Sequence, residues 1–103
     1  MVIELKADQV AEYVRLHTGD ACPVRDLLQQ YNLRRFSIFL KEIDGRYFEF
    51  AYLEYTGDDY DADMAALDAE PRNQAWLAVT DAMQVPLPGG ESWSHMDEIF
   101  HND

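Results

Sequence analysis

Tyr13 and His17 stand four residues apart in the stretch Ala7–His17. In a helix that spacing stacks the phenol and the imidazole on one face. Val10 and Val14 border the face, so the pair is expected to point towards an apolar interior. A free imidazole gives or takes a proton at cellular pH, and a neighbouring phenol can orient a substrate or relay that proton. The residues suit proton-transfer chemistry. They equally suit a histidine that closes a helix by bonding a carbonyl, beside a core tyrosine.

Other clusters carry less. In the tail, His95, Asp97 and His101 would share a face of a strand, as metal ligands can. The spacing matches no strong metal motif, a polar strand face explains it as well, and no metal is expected. The acids of Asp58–Asp63 lack the central Gly and closing Glu of a calcium loop. Acids there suit the positive end of a helix. The Pro86–Gly90 segment lacks the Gly-Lys-Ser/Thr ending of a phosphate loop. Trp76 could be a platform for the C–H face of a sugar, or a core residue spaced with Val79 and Met83. Cys22 is the sole cysteine, so no internal disulfide forms; it reads as a buried or incidental thiol.

The elements that must position these groups follow from pattern. The 103 residues fit a single domain, residues 1–103, and 48% hydrophobic content is enough for a core. Residues 1–5 read as a strand, residues 7–17 as a helix, and Val24 to Tyr31 as a second helical stretch opened by Pro23, with Leu27 and Leu28 inward and Asn32 closing it. Gly19 suits a helix cap. Residues 35–40 form a strand, Asp44-Gly45 a hairpin turn, and residues 47–55 the return. On that return strand Phe48, Phe50, Tyr52 and Glu54 share one face; Tyr47, Glu49, Ala51, Leu53 and Tyr55 share the other. Residues 59–69 and 71–83 are helical, with Met64, Leu67, Trp76, Val79 and Met83 inward. Residues 93–101 are expected to be the final strand. The order is β-α-β-β-α-β with each helix broken in two: the ferredoxin-like split βαβ plan, α+β, one four-stranded antiparallel sheet with helices on one face. The other face needs cover, and a second copy of the chain is the expected cover.

Charge narrows the partners. Eight Lys and Arg against 20 Asp and Glu give a net charge of -12. That repels phosphate backbones and anionic membranes, so neither nucleic acid nor membrane is an expected partner. A small neutral polar ligand such as a sugar fits better. No stretch has the length of a membrane span and the N-terminus lacks signal-peptide character, so a cytoplasmic location is expected.

Three stretches carry a family likeness: Glu12-Tyr13-Val14-Arg15-Leu16-His17, Phe50-Ala51-Tyr52-Leu53-Glu54, and Met64 through Trp76 to Met83. With the ending Met96-Asp97-Glu98-Ile99-Phe100-His101, their order and spacing resemble the L-rhamnose mutarotase family over essentially the whole chain. The resemblance implies a dimeric α/β-barrel-type assembly of ferredoxin-like chains. It also implies interconversion of the α and β anomers of a deoxy-sugar, without metal or cofactor. His17 matches the family's proposed proton donor, and Tyr13 its sugar-contacting tyrosine. A Trp-Trp pair of the family reads Ala75-Trp76 here, a sugar-contacting Tyr reads Phe36, and a Trp-Pro after the His reads Ala21-Cys22. These changes make the expected pocket larger and less polar.

The expectation is a sugar mutarotase, an isomerase acting on L-rhamnose or a related sugar. His17 is the acid of ring opening and the base of closure, and Tyr13 orients the sugar. Trp76 and Phe36 stack on the sugar, and Glu54, on the strand face with Tyr52, is the candidate partner base. Two other readings stay open: a cofactor-free monooxygenase-like enzyme on the same dimeric plan, and a non-catalytic sugar-binding module.

Overall fold

The computed structural model describes residues 1–103. The elements run β1 (Val2–Leu5), α1 (Val10–Leu16), α2 (Arg25–Gln30), β2 (Leu33–Ile43), β3 (Arg46–Tyr55), α3 (Tyr60–Ala69), α4 (Pro71–Asp81) and β4 (Gln84–Val85). The four strands form one sheet in the order β2-β3-β1-β4, every neighbouring pair antiparallel. This is the ferredoxin-like α+β arrangement. No helix is long and apolar enough to cross a membrane.

Local chemistry sets the joints. Asp44 and Gly45 take φ of 52° and 77°, and Ile43 pairs with Arg46 across them. Positive φ at both central residues is the two-residue hairpin whose twist matches its strands. Asn32, at φ 69°, ends the α2 segment in the left-handed conformation that its short polar side chain tolerates. Asp59 caps α3 by accepting from the Ala62 N–H at 3.1 Å. Pro71 opens α4, and Glu70 before it is held extended, so α3 and α4 meet at a corner instead of running on.

Alternation along β3 sorts the sheet's two faces. Glu49 and Ala51 are buried under the helices with Ile3 and Leu5 of β1. Phe48, Phe50, Tyr52 and Glu54 lie on the opposite face, where Phe50 is flanked by Val2 and Phe39. The core under the helices is divided. Val24, Leu27, Leu33 and Leu67 form one cluster, and Leu5, Tyr13 and Met83 the other.

Three expectations are corrected. The fourth strand is not residues 93–101 but Gln84–Val85, and beyond it Ser94 forms an isolated bridge to the sheet, exchanging two 2.8 Å backbone bonds with Val2. Pro86, directly after Val85, offers no N–H to continue the ladder, so the strand stops there. His95, Asp97 and His101 therefore share no strand face. On α4 the inward stripe is Asn73, Trp76 and Thr80, while Val79 is 47% exposed. On α1, Val14 is likewise outside, and Leu16 packs inward with Val10.

Candidate functional site

The gap between the two core clusters is a cavity of about 690 Å³. Tyr13 and His17 of α1, Phe36 and Ile38 of β2, Trp76 and Thr80 of α4 and Gln84 of β4 all line it. A smaller pocket of about 180 Å³ adjoins, with Tyr13, His17 and Ile38 common to both and Glu49 at its wall.

His17 closes α1. Its Nδ1 lies 2.7 Å from the Tyr13 carbonyl oxygen one turn back. A carbonyl only accepts, so Nδ1 carries the proton and Nε2 holds the lone pair of the neutral ring. The helix's last carbonyls are otherwise used: Thr18 donates to Val14 O at 2.7 Å and Arg25 to His17 O at 3.2 Å. The capping bond therefore fixes the ring's tautomer while leaving Nε2 free for chemistry. Tyr13 stacks on the imidazole at 4.3 Å between centroids, and Trp76 meets it edge-on at 5.0 Å.

Behind the tyrosine lies a buried acid. Gln84 Nε2 donates to the Tyr13 hydroxyl at 3.1 Å and to Glu49 Oε1 at 3.2 Å. Glu49 is 1% exposed, and its Oε2 has no hydrogen-bond partner. Burial pushes the Glu49 carboxyl up to about 7, against the opposing pull of Tyr13 and Gln84. Burial, and then the facing Glu49 charge, raise the Tyr13 phenol well above its ordinary value. Tyr13 thus stays a neutral donor throughout the physiological range.

A bulge shapes the opposite wall. The β2–β3 register shifts between Arg34 and Ser37, and Arg35 sits at φ 51°. An inserted residue re-aims the strand, and Phe36, 37% exposed, becomes part of the cavity wall.

Of the residues picked from sequence, Tyr13, His17, Trp76 and Phe36 meet at this cavity. Glu54 does not. It shares the open sheet face with Tyr52 and pairs with Arg35 at 2.6 Å, which holds its carboxyl below the usual range. Sequence reasoning missed Glu49, Gln84, Asn73 and Thr80. Glu49 did leave a trace: it is the one charged residue on the strand face it shares with Tyr47, Ala51, Leu53 and Tyr55. Asn73 and Thr80 were visible as polar residues at helical spacing around Trp76. Cys22 lines the cavity, partly buried.

The arrangement offers an acid–base imidazole, a neutral phenol, flat aromatic walls and buried amide and hydroxyl groups. Such a cavity suits a small polyol with one apolar face. The sequence matches the family model of L-rhamnose mutarotase over residues 1–102. No curated protein matches it.

Proposed function

Because the chain belongs to the L-rhamnose mutarotase family, we propose that it interconverts the α and β anomers of L-rhamnose or a related deoxy-sugar in the cavity beneath Tyr13 and His17. The observation that carries this is the anchoring of His17 Nδ1 to the Tyr13 carbonyl, which leaves Nε2 free to take and return a proton at the cavity wall.

Mutarotation opens a hemiacetal and recloses it on the other face of the carbonyl. Opening needs a proton delivered to the ring oxygen. Protonated His17 supplies it, and neutral His17 takes it back on closure. Tyr13 binds the sugar beside the imidazole. Trp76 and Phe36 take its apolar face, and Asn73 and Thr80 offer hydrogen bonds from α4. The reaction is already fairly fast in water, so the site has only a modest barrier to lower.

The open face of the sheet suits a second copy. Phe39 and Tyr52 are 62% and 55% exposed there, and Ile99 and Phe100 of the tail are also exposed. Covering that face with a partner's equivalent face gives a homodimer built sheet to sheet. A solution mass equal to one chain would refute it.

The test of the activity is NMR exchange between anomeric protons of L-rhamnose, L-fucose and common aldoses. Exchange faster than the buffer rate is expected for at least one deoxy-sugar. Binding without exchange would make the protein a sugar-binding module instead.

A further inference from the structure

The buried Glu49 carboxylate has no role in the chemistry assigned to His17, yet it is placed against the residue that touches the sugar. Its Oε1 is held by Gln84, the same amide that donates to the Tyr13 hydroxyl oxygen. Its Oε2 is unpartnered although fully enclosed. An orphaned buried oxygen is costly and uncommon, and calls for an explanation. Because the phenol oxygen accepts from Gln84, the phenol's own proton remains free for donation, and the shared Gln84 amide holds the Glu49 carboxylate beside that hydroxyl.

We propose that Glu49 is the terminal proton acceptor of a relay from the sugar's anomeric hydroxyl through Tyr13, working opposite His17. The proposal rests on the mutarotase reading and supplies the proton-transfer group which that reading leaves open. Glu49 acts through Tyr13 and does not itself touch the sugar.

In ring opening, imidazolium His17 gives a proton to the ring oxygen as the bond from that oxygen to the anomeric carbon breaks. The ring oxygen keeps the bonding electron pair. The anomeric O–H proton passes to the Tyr13 oxygen, the Tyr13 proton passes to Glu49, and the freed electron pair completes the carbonyl. The products are the open aldehyde, neutral His17 and protonated Glu49. Closure on the other face of the carbonyl reverses each transfer and restores both groups.

The phenol's resistance to ionisation fits a relay, since Tyr13 must give one proton as it receives another. A carboxyl pushed up to about 7 can hold and release a proton near neutrality. The titratable and polar groups around Glu49 are Tyr13 of α1, His17 and Thr18 just after it, and Gln84 of β4. The remaining residues around the pocket, Leu5, Val14, Ile38 and Leu40, are apolar. Asp81, at the end of α4, is the other carboxylate that bears on the phenol.

The test is the pH profile of anomeric exchange, measured on the full chain and on Glu49→Gln, Glu49→Asp, Tyr13→Phe and the double variant Tyr13→Phe/Glu49→Gln. In the parent protein the rate climbs with pH as Glu49 ionises. Glu49→Gln should lose the climbing limb and about a hundredfold in kcat, with KM little changed. Tyr13→Phe should lose the same limb, and the double variant should be no slower than the slower single one. Glu49→Asp should keep the limb. Parental kcat in Glu49→Gln overturns the relay, and so does a slowed variant that keeps the limb, because that is what a purely structural role produces. If Glu49→Gln does not fold, an intact climbing limb in Tyr13→Phe overturns the proposal in its place. Absence of exchange in the parent protein with every sugar overturns the mutarotase reading itself, an outcome distinct from failure of the relay alone.

Discussion

Replacing Glu49 with Gln should uncover a large pH-dependent change in stability. The substitution keeps the shape of the side chain and removes its ionisable proton. In the fold, burial pushes Glu49 up to about 7 from an ordinary 4.5. Between those values the folded protein holds a proton that the unfolded chain has released, so stability falls as pH rises through that window. The separation of about 7 from 4.5, at roughly 1.4 kcal/mol per pH unit, amounts to about 3 kcal/mol. Domains of this size are stable by only about 5–15 kcal/mol, so the change is a substantial fraction. The assay is urea unfolding of both proteins from about pH 4 to about pH 8.5, across the expected window. The difference between parent and variant cancels every titrating group they share. It should move against the parent by about 3 kcal/mol as pH rises, levelling once Glu49 is ionised in both states. A difference that stays flat would show that Glu49 is not held protonated by burial, and the reasoning would fail.

Three further outcomes follow from the same geometry. Neutral His17 should be the Nδ1–H tautomer, seen in its ring nitrogen shifts by NMR; the Nε2–H form would contradict the 2.7 Å bond to the Tyr13 carbonyl. Trp76→Phe should raise KM by about fivefold, the loss of about 1 kcal/mol of aromatic contact, with kcat nearly unchanged; an equal fall in kcat would place Trp76 in the chemistry. Gly57→Ala should destabilise the fold by about 1–3 kcal/mol. A Cβ there collides with the Tyr55 hydroxyl and the Asn32 amide, both of which are bound to Asp63. A thermal midpoint equal to the parent's would refute it.

The joints of the fold were legible because each rests on a local rule. Asp44-Gly45 encodes the hairpin turn by positive φ, and Pro71 encodes the start of α4 by its missing N–H. The strand order follows from the β-α-β-β-α-β succession. The last strand was not legible, because Gln84–Val85 is too short to carry an alternating pattern and pairs with β1, far away in the chain. The inward face of α4 was misread for a related reason. Hydrophobic spacing favoured Val79, but this face borders a cavity, so Asn73 and Thr80 are buried in its place. Glu54 is the candidate partner base that the sequence offers, on the strand face with Tyr52. That face is the open one, and the buried acid of the strand is Glu49 on the other. Period-two alternation already puts the two acids on opposite faces, and which face the helices cover is a matter of tertiary packing.

The central claim is that His17 moves the proton that opens the sugar ring. Its most direct test is magnetisation transfer between the anomeric protons of L-rhamnose, comparing the parent protein with His17→Ala. The parent should exchange the anomers well above the buffer rate, and His17→Ala should lose about a hundredfold or more of that excess. Parental exchange in His17→Ala would contradict the account.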